Sequence, residues 1–208
     1  MTDNVSQLKT FYDSPEGHKH CRIIRDKISL LWGEVKKEKI LGFGFTLPYL
    51  PMFSDDNKVL ALMPPYIGAL DLHQGILSVM ADEAQLPVRN EVIDKIIAAH
   101  ALENVQDAHE LLFEFWRVLK PYGKALLIFE HEKFDPEKIT ALLLANKFRI
   151  VSKTRAVASF EIFESLLGKI YIIQAQKLVF APRGRTQKIV KSIWDKVARP
   201  KPAMEPTS

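Results

Sequence analysis

Residues 92–129, VIDKIIAAHALENVQDAHELLFEFWRVLKPYGKALLIF, constrain the fold of this chain more than any other stretch. The run 92–99 is apolar, has strand length, and ends in a polar cluster at 100–104. Leu111, Leu112, Phe115, Trp116 and Leu119 then recur at the spacing of one buried helical face. The helix is expected to stop at Lys120-Pro121, because proline disfavours helix in the residue before it and donates no backbone hydrogen bond. Tyr122-Gly123 reads as a turn, and 125–129 as a second apolar strand. Strand, helix, turn and strand in so few residues make a βαβ unit, which implies a parallel sheet with a right-handed crossover.

A chain of 208 residues is most simply one domain with short extensions. Its 47% hydrophobic content is enough to bury a full core. No apolar run reaches the length of a membrane span, and the polar start lacks the apolar centre of a secretory signal. The single cysteine, Cys21, excludes an internal disulfide and fits a reducing compartment, so the cytoplasm is the expected location. There is no CxxC and no HExxH, so no metal site is expected. The net charge of +4 is uneven: from Arg183 onward seven basic residues face two acidic ones, a balance of +5, and the remainder stands at −1. The basic character belongs to the tail and says little about the body of the protein.

Three segments follow from this reading: a helical cover at 1–38, a main domain at 39–182 and a basic tail at 183–208. The first residues read as loose up to Phe11-Tyr12. Asp13 or Ser14 then caps a helix with Pro15 in its first turn, which runs to Trp32. The first strand and its turn are expected over Lys39–Thr46, and further strands at 58–62 and at 76–80. Two prolines in LPYLPMF allow only a short helix after the first strand. Asp135-Pro136-Glu137 starts a helix lined by Ile139, Leu142, Leu143 and Phe148. Strands at 149–160 and 169–179 follow, with a helical turn at 163–168. In the tail, a basic helix with Trp194 suits weak contact with RNA or an anionic surface, and equally a solvated extension.

Leu102-Glu103-Asn104, Glu114 and the run from Arg117 to Gly123 resemble the LEH…E..RVLKPGG signature of class I S-adenosylmethionine-dependent methyltransferases, the small type 11 kind in particular. FYDSPEG at 11–17 and KLVFAP at 177–182 also resemble a bacterial branch of these proteins. The resemblance implies a three-layer α/β, Rossmann-like fold: a mostly parallel seven-stranded sheet with an antiparallel edge hairpin. It implies S-adenosylmethionine as cofactor, an activity of methyl transfer, and an acceptor that the residues do not name. Gly42, Phe43 and Gly44 take the place of the glycine-rich turn after the first strand. Against the usual V-L-D-L-G-C-G-T-G, Gly42 stands at the acidic position, Gly44 keeps the first glycine and Thr46 replaces the second. Met63 stands where an acid would accept from the ribose hydroxyls, and that lost bond is worth about 1.5–3 kcal/mol. Asp71 is a distant substitute.

The DEAQLP segment at 82–87 resembles the adenine-binding D-A-E-x-L-P, which makes Asp82 and Glu83 cofactor contacts, although a solvated acidic loop fits them too. Ala99 closes the site at the end of the fourth strand. His100 is the candidate base for an oxygen or nitrogen acceptor. A histidine that orients the loop or satisfies a buried carbonyl fits the same position. Glu103 suits a helix cap or loop anchor better than acid–base work, and His131 and Glu132 are weaker candidates on the same rim. The second reading is a methyltransferase-like protein without catalysis, binding a protein or RNA partner. Phe43, Phe45 and Met63 would then fill the cofactor pocket.

Overall fold

Alternation along the strands divides the core between the two faces of one sheet. The computed structural model describes residues 2–67, 76–130, 134–156 and 170–179. Two helices come first, α1 (Thr2–Tyr12) and α2 (Pro15–Trp32). The sheet contains β1 (Lys39–Gly44), β2 (Lys58–Met63), β3 (Ile76–Met80), β4 (Ile93–Ala99), β5 (Leu119–Glu130), β6 (Phe148–Arg155) and β7 (Ile170–Lys177). Helix α3 (Ala108–Val118) joins β4 to β5, and α4 (Pro136–Ala145) precedes β6. The seven strands lie in the order β3-β2-β1-β4-β5-β7-β6. The first five pair in parallel, and β7 runs antiparallel to both β5 and β6. The expected three-layer fold with its antiparallel edge hairpin is borne out.

On one face, Ile40, Val59, Ala61, Ile97, Leu126 and Ile128 pack with Ile24, Ile28 and Trp32 of α2. On the other, Leu41, Phe43, Leu62, Ile96 and Leu127 pack with Leu111 and Phe115 of α3 and Ile139 and Leu143 of α4. Each fully buried aliphatic or phenyl group contributes about 1.5–3 kcal/mol of transfer free energy. The inner parallel strands are therefore apolar on both sides, as a covered sheet requires, while the edge strand β3 is largely exposed.

Helix α2 starts where the capping pattern places it: the Ser14 hydroxyl accepts from the Gly17 amide at 3.0 Å, with Pro15 in the first turn. Three local expectations are corrected. The first residues are helical rather than loose, because Leu8 and Tyr12 turn into the core beside α2. The turn expected at 120–123 is part of β5, which starts directly after α3 at Leu119 and passes through Pro121. Tyr122 there takes φ 63°, and the β4–β5 register shifts between Ile93 and Lys95. The third is at the start of β6, which takes in Phe148, expected on the face of α4; β6 covers Phe148–Arg155, and residues 157–160 of the expected strand lie outside the described residues. The short helix after β1 is a single 3-10 turn, Leu50–Phe53, in keeping with its two prolines. The helical turn at 163–168, the basic tail, Asp71, His131 and Glu132 lie outside the described residues.

No helix spans the β3–β4 connection. A clamp from α3 holds it instead. Glu114 accepts from the Leu86 amide at 2.8 Å and from the Arg117 guanidinium. Arg117 in turn donates to the Val88 and Leu86 carbonyls, at 2.7 and 3.0 Å, and to the Asn90 side chain at 2.7 Å. Burial alone would raise the Glu114 carboxyl, but Arg117 and the Leu86 amide hold it below its ordinary value. Replacing Arg117 by Met should cost about 2–3 kcal/mol, since it leaves Glu114 and two carbonyls without their donor. Urea unfolding of Arg117→Met measures this, and a cost below about 0.5 kcal/mol would mean that water serves these groups as well.

Candidate active site at the carboxyl edge of the sheet

Strand order reverses at β1, whose neighbours β2 and β4 lead to opposite halves of the sheet. In open α/β sheets the crevice beyond such a switch point is where ligands bind. Gly44 pairs with Ala99 there, and Ala99 pairs with Ile128. Gly44 has φ +81°, and a Cβ on it would lie 2.5 Å from the Ala99 carbonyl oxygen. Any side chain would force the two strand ends apart. The Phe45 amide then donates to that same carbonyl at 2.8 Å.

Gly42 faces the α2 side, where a Cβ would meet the Leu50 side chain at 2.5 Å and Thr46 Oγ1 at 2.6 Å. This glycine makes room for the 3-10 turn. Phe43 points the other way, fully buried, with its ring edge-on to Phe115 at 5.6 Å. Met63 is buried in the α2-side core, and its carbonyl accepts from the Ala81 amide at 3.0 Å, which ties the β3 loop to the end of β2. Asp82 is exposed and caps its own turn through the Ala84 amide at 2.9 Å. Glu83 reaches across to the loop after β4 and accepts from the Gln106 amide at 3.1 Å. The expected residues thus stand at the strand ends and in the loops beyond them, but Phe43 and Met63 are turned into the core and Gly42 faces the 3-10 turn.

His100 follows Ala99 directly, with φ 49° and its imidazole 3% exposed. Its Nε2 lies 2.8 Å from the Tyr12 hydroxyl, which is 2.9 Å from the Tyr49 hydroxyl. One proton arrangement satisfies the row: Tyr49 donates to Tyr12, Tyr12 donates to Nε2, and Nδ1–H points at Glu103 Oε1, 3.6 Å away. Glu103 anchors the loop by accepting from the Glu130 amide at 2.8 Å, while Asp107 caps α3. Burial raises the tyrosine hydroxyls Tyr12 and Tyr49, keeping both neutral. Burial also raises the Glu103 carboxyl, but His100 and the Glu130 amide outweigh it and hold Glu103 ionised. The Tyr12 ring stacks on Phe45 at 5.2 Å over the switch point.

Tyr12, Tyr49 and Phe45 were outside the expected site, apart from Phe45 as a pocket filler. Tyr12 sits far upstream, and no local pattern shows that α1 carries it to the end of β4. Tyr66 was missed too. It follows β2 by three residues, and its hydroxyl is buried without a partner, as is Glu103 Oε2.

These residues fit S-adenosylmethionine unevenly. Asp82 keeps an exposed carboxylate, the chemistry that an adenine amino group requires. Met63 offers the ribose no acceptor.

Comparison with known proteins agrees with this geometry. A family model described as a methyltransferase domain matches residues 65–127, the span from the end of β2 through the signature on α3 and β5. A SAM-dependent methyltransferase from Aquifex aeolicus superposes with a TM-score of 0.65 at 18% identity, over 84% of this chain and 98% of that one. One from Mesorhizobium loti gives 0.59 at 13% identity, over 73% and 96%. The [4+2]-cyclase SpnF gives 0.56 at 15% identity, over 76% and 80%. No curated protein matches the sequence. The resemblance to class I S-adenosylmethionine-dependent methyltransferases is borne out by the family match and by the fold, and at these identities the superpositions speak for the fold alone.

The electrostatics of Glu103 are testable through pH. Its folded pKa is held below the ordinary 4.5, so its contribution to stability is present above that value and is lost as pH falls through the folded pKa. Wild type should exceed Glu103→Gln in unfolding free energy at neutral pH, and the gap should narrow below about pH 4.5. A gap independent of pH would mean that the carboxylate charge is not what the loop uses.

Proposed function

We propose that the chain is an S-adenosylmethionine-dependent methyltransferase. The observation that carries this reading is the edge itself: Gly44 closed against Ala99 at the switch point, with the buried His100–Glu103 pair just beyond it. The methyltransferase-domain match across this region supports it. When bound, the cofactor supplies the activated methyl group. Asp82 accepts from the adenine amino group, Glu83 fixes the loop behind it, and Gly42, Gly44, Ala99 and Met63 form the floor. Phe43 acts from below, through its packing on Phe115. His100 takes the proton from an oxygen or nitrogen acceptor, with the Tyr12 hydroxyl between them. Glu103 orients the imidazole through Nδ1.

A second reading has a specific observation behind it. The Tyr12–Phe45 stack lies over the switch point, and Met63 gives the ribose nothing. Both suit a methyltransferase-like protein that binds a protein or RNA partner without catalysis. The basic tail remains a proposed weak contact for RNA or an anionic surface. A cytoplasmic location is part of the proposal; among the described residues no helix is long and apolar enough to cross a membrane.

Isothermal titration with S-adenosylmethionine and S-adenosylhomocysteine separates the two readings. The enzyme reading expects micromolar binding, weakened about tenfold in Asp82→Ala by loss of a bond to a charged acceptor. His100→Ala should keep this binding and lose methyl transfer. Absence of binding at millimolar cofactor would sink the enzyme reading in favour of the second.

A further inference from the structure

The two faces of the sheet are covered unevenly. Paired residues of neighbouring strands share a face, so Leu77 and Val79 of β3 stand beside Leu60 and Leu62 on the α3 side. Helices α3 and α4 pack on that side over the inner strands. The β3–β4 connection, which a right-handed crossover puts on the same side, carries no helix. Leu77 is 66% exposed and Val79 38%. A parallel sheet is ordinarily covered on both faces. The strand itself, ILSVM, has none of the charges, prolines or bulges that protect an open edge.

The tail, outside the described residues, has the complementary need. Ile189, Val190, Ile193, Trp194 and Val197 recur at i, i+1, i+4, i+5 and i+8. Helix α3 meets the same side of the sheet with Leu111, Leu112, Phe115 and Trp116, at the first four of these spacings. A short helix with such a stripe gains its stability by burying it.

Position and length fit as well. Trp116 Nε1 donates to the Leu178 carbonyl at 3.4 Å, so the chain leaves β7 on the α3 side. Gln176, Lys124, Lys95, Ile40, Val59 and Ile76 form one row across the sheet, from β7 to β3. The five strand spacings of that row amount to about 24 Å. The eight chain steps from Val179 to Gln187 reach up to about 26 Å. A helix over 187–197 is about 16 Å long, which matches a five-residue strand. Such a helix runs up β3 and brings Lys196 and Arg199 towards Asp82 and Glu83, which follow that strand. The charges agree, at +5 for the tail against −1 for the remainder.

We propose that residues 187–197 form a helix that docks on the chain's own sheet, with Ile193 and Trp194 over Leu77 and Val79, where the β3–β4 crossover lacks one. This does not depend on the methyltransferase reading. A second copy paired through β3 would bring an uncharged strand edge, with no cation for Asp82 and Glu83 and no helix for the open face.

The test reads both sides of the contact in the full chain, by amide exchange of residues 187–197 and by thiol labelling of Val79→Cys. Leu77→Asp should speed exchange of 187–197 by about tenfold or more. Leu77 points away from the body, so this variant keeps the fold. Adding Ile193→Asp to Val79→Cys should speed labelling at position 79 by a similar factor; Cys21 is buried, and the labelled position is read by mass. Exchange of 187–197 at the rate of a free peptide in wild type would overturn the proposal. So would labelling and exchange that ignore both substitutions. Protection that appears only at high protein concentration, together with a dimer in light scattering, would also overturn it and assign the face to a second copy.

Discussion

The passage of Gly44 over the Ala99 carbonyl is the contact on which the rest of the edge depends. It lets β1 and β4 stay paired to their last residues and then sends the chain sharply away. The bend carries Phe45 onto the Tyr12 ring and brings Tyr49 to the Tyr12 hydroxyl. Tyr12 then reaches His100, so one steric requirement at a glycine fixes a polar row made from α1, the loop after β1 and the end of β4. Position 44 would need glycine for packing even if no ligand ever touched it. Position 44 therefore has a packing role of its own, alongside its place in the proposed site.

Much of the frame was legible because periodicity reports burial. The runs at β1, β2, β3 and β4 stand within a residue of where their apolar spacing puts them, and the α3 stripe is the face that meets the sheet. The start of β5 was not legible. Proline and glycine at 121 and 123 signal a turn locally, but pairing with the shifted register at Ile93–Lys95 keeps the segment extended. Helix α1 was hidden for a related reason: its helicity depends on two buried side chains meeting α2, not on a strong amphipathic pattern. At the site, the residues next to strand ends could be named from the chain. Tyr12 could not, because its role depends on a contact across 88 positions of sequence.

The most recognisable residues turn out to be structural. Glu114 and Arg117 lie at the heart of the signature, yet their hydrogen bonds go to Leu86, Val88 and Asn90 in the β3–β4 connection. That connection carries Asp82 and Glu83. The signature thus acts structurally, by holding the loop on which these acidic residues stand. A connection without a helix has little packing of its own, and side-chain hydrogen bonds to its backbone take over that work. This explains how scaffold motifs can be well kept while the end of β2 departs from the family pattern at Met63.

The difference at the ribose has an electrostatic logic. Glu103 is already a buried carboxylate, held ionised by His100 and the Glu130 amide, and Glu83 stands close enough to act on the same phenol. A further carboxylate at position 63 would sit in the apolar core that also holds Ile67. Desolvation and like-charge repulsion would both oppose its ionisation, and a protonated acid there would gain little as an acceptor. Methionine at 63 with a neutral phenol at 66 avoids that conflict. The edge then has one buried anion, Glu103, with a tyrosine proton to balance the hydrogen-bond polarity. The arrangement depends on Glu103 having a charge-stabilising partner, and His100 is that partner. Glu103 therefore ties the loop after β4 both to His100 and to the end of β5 at Glu130.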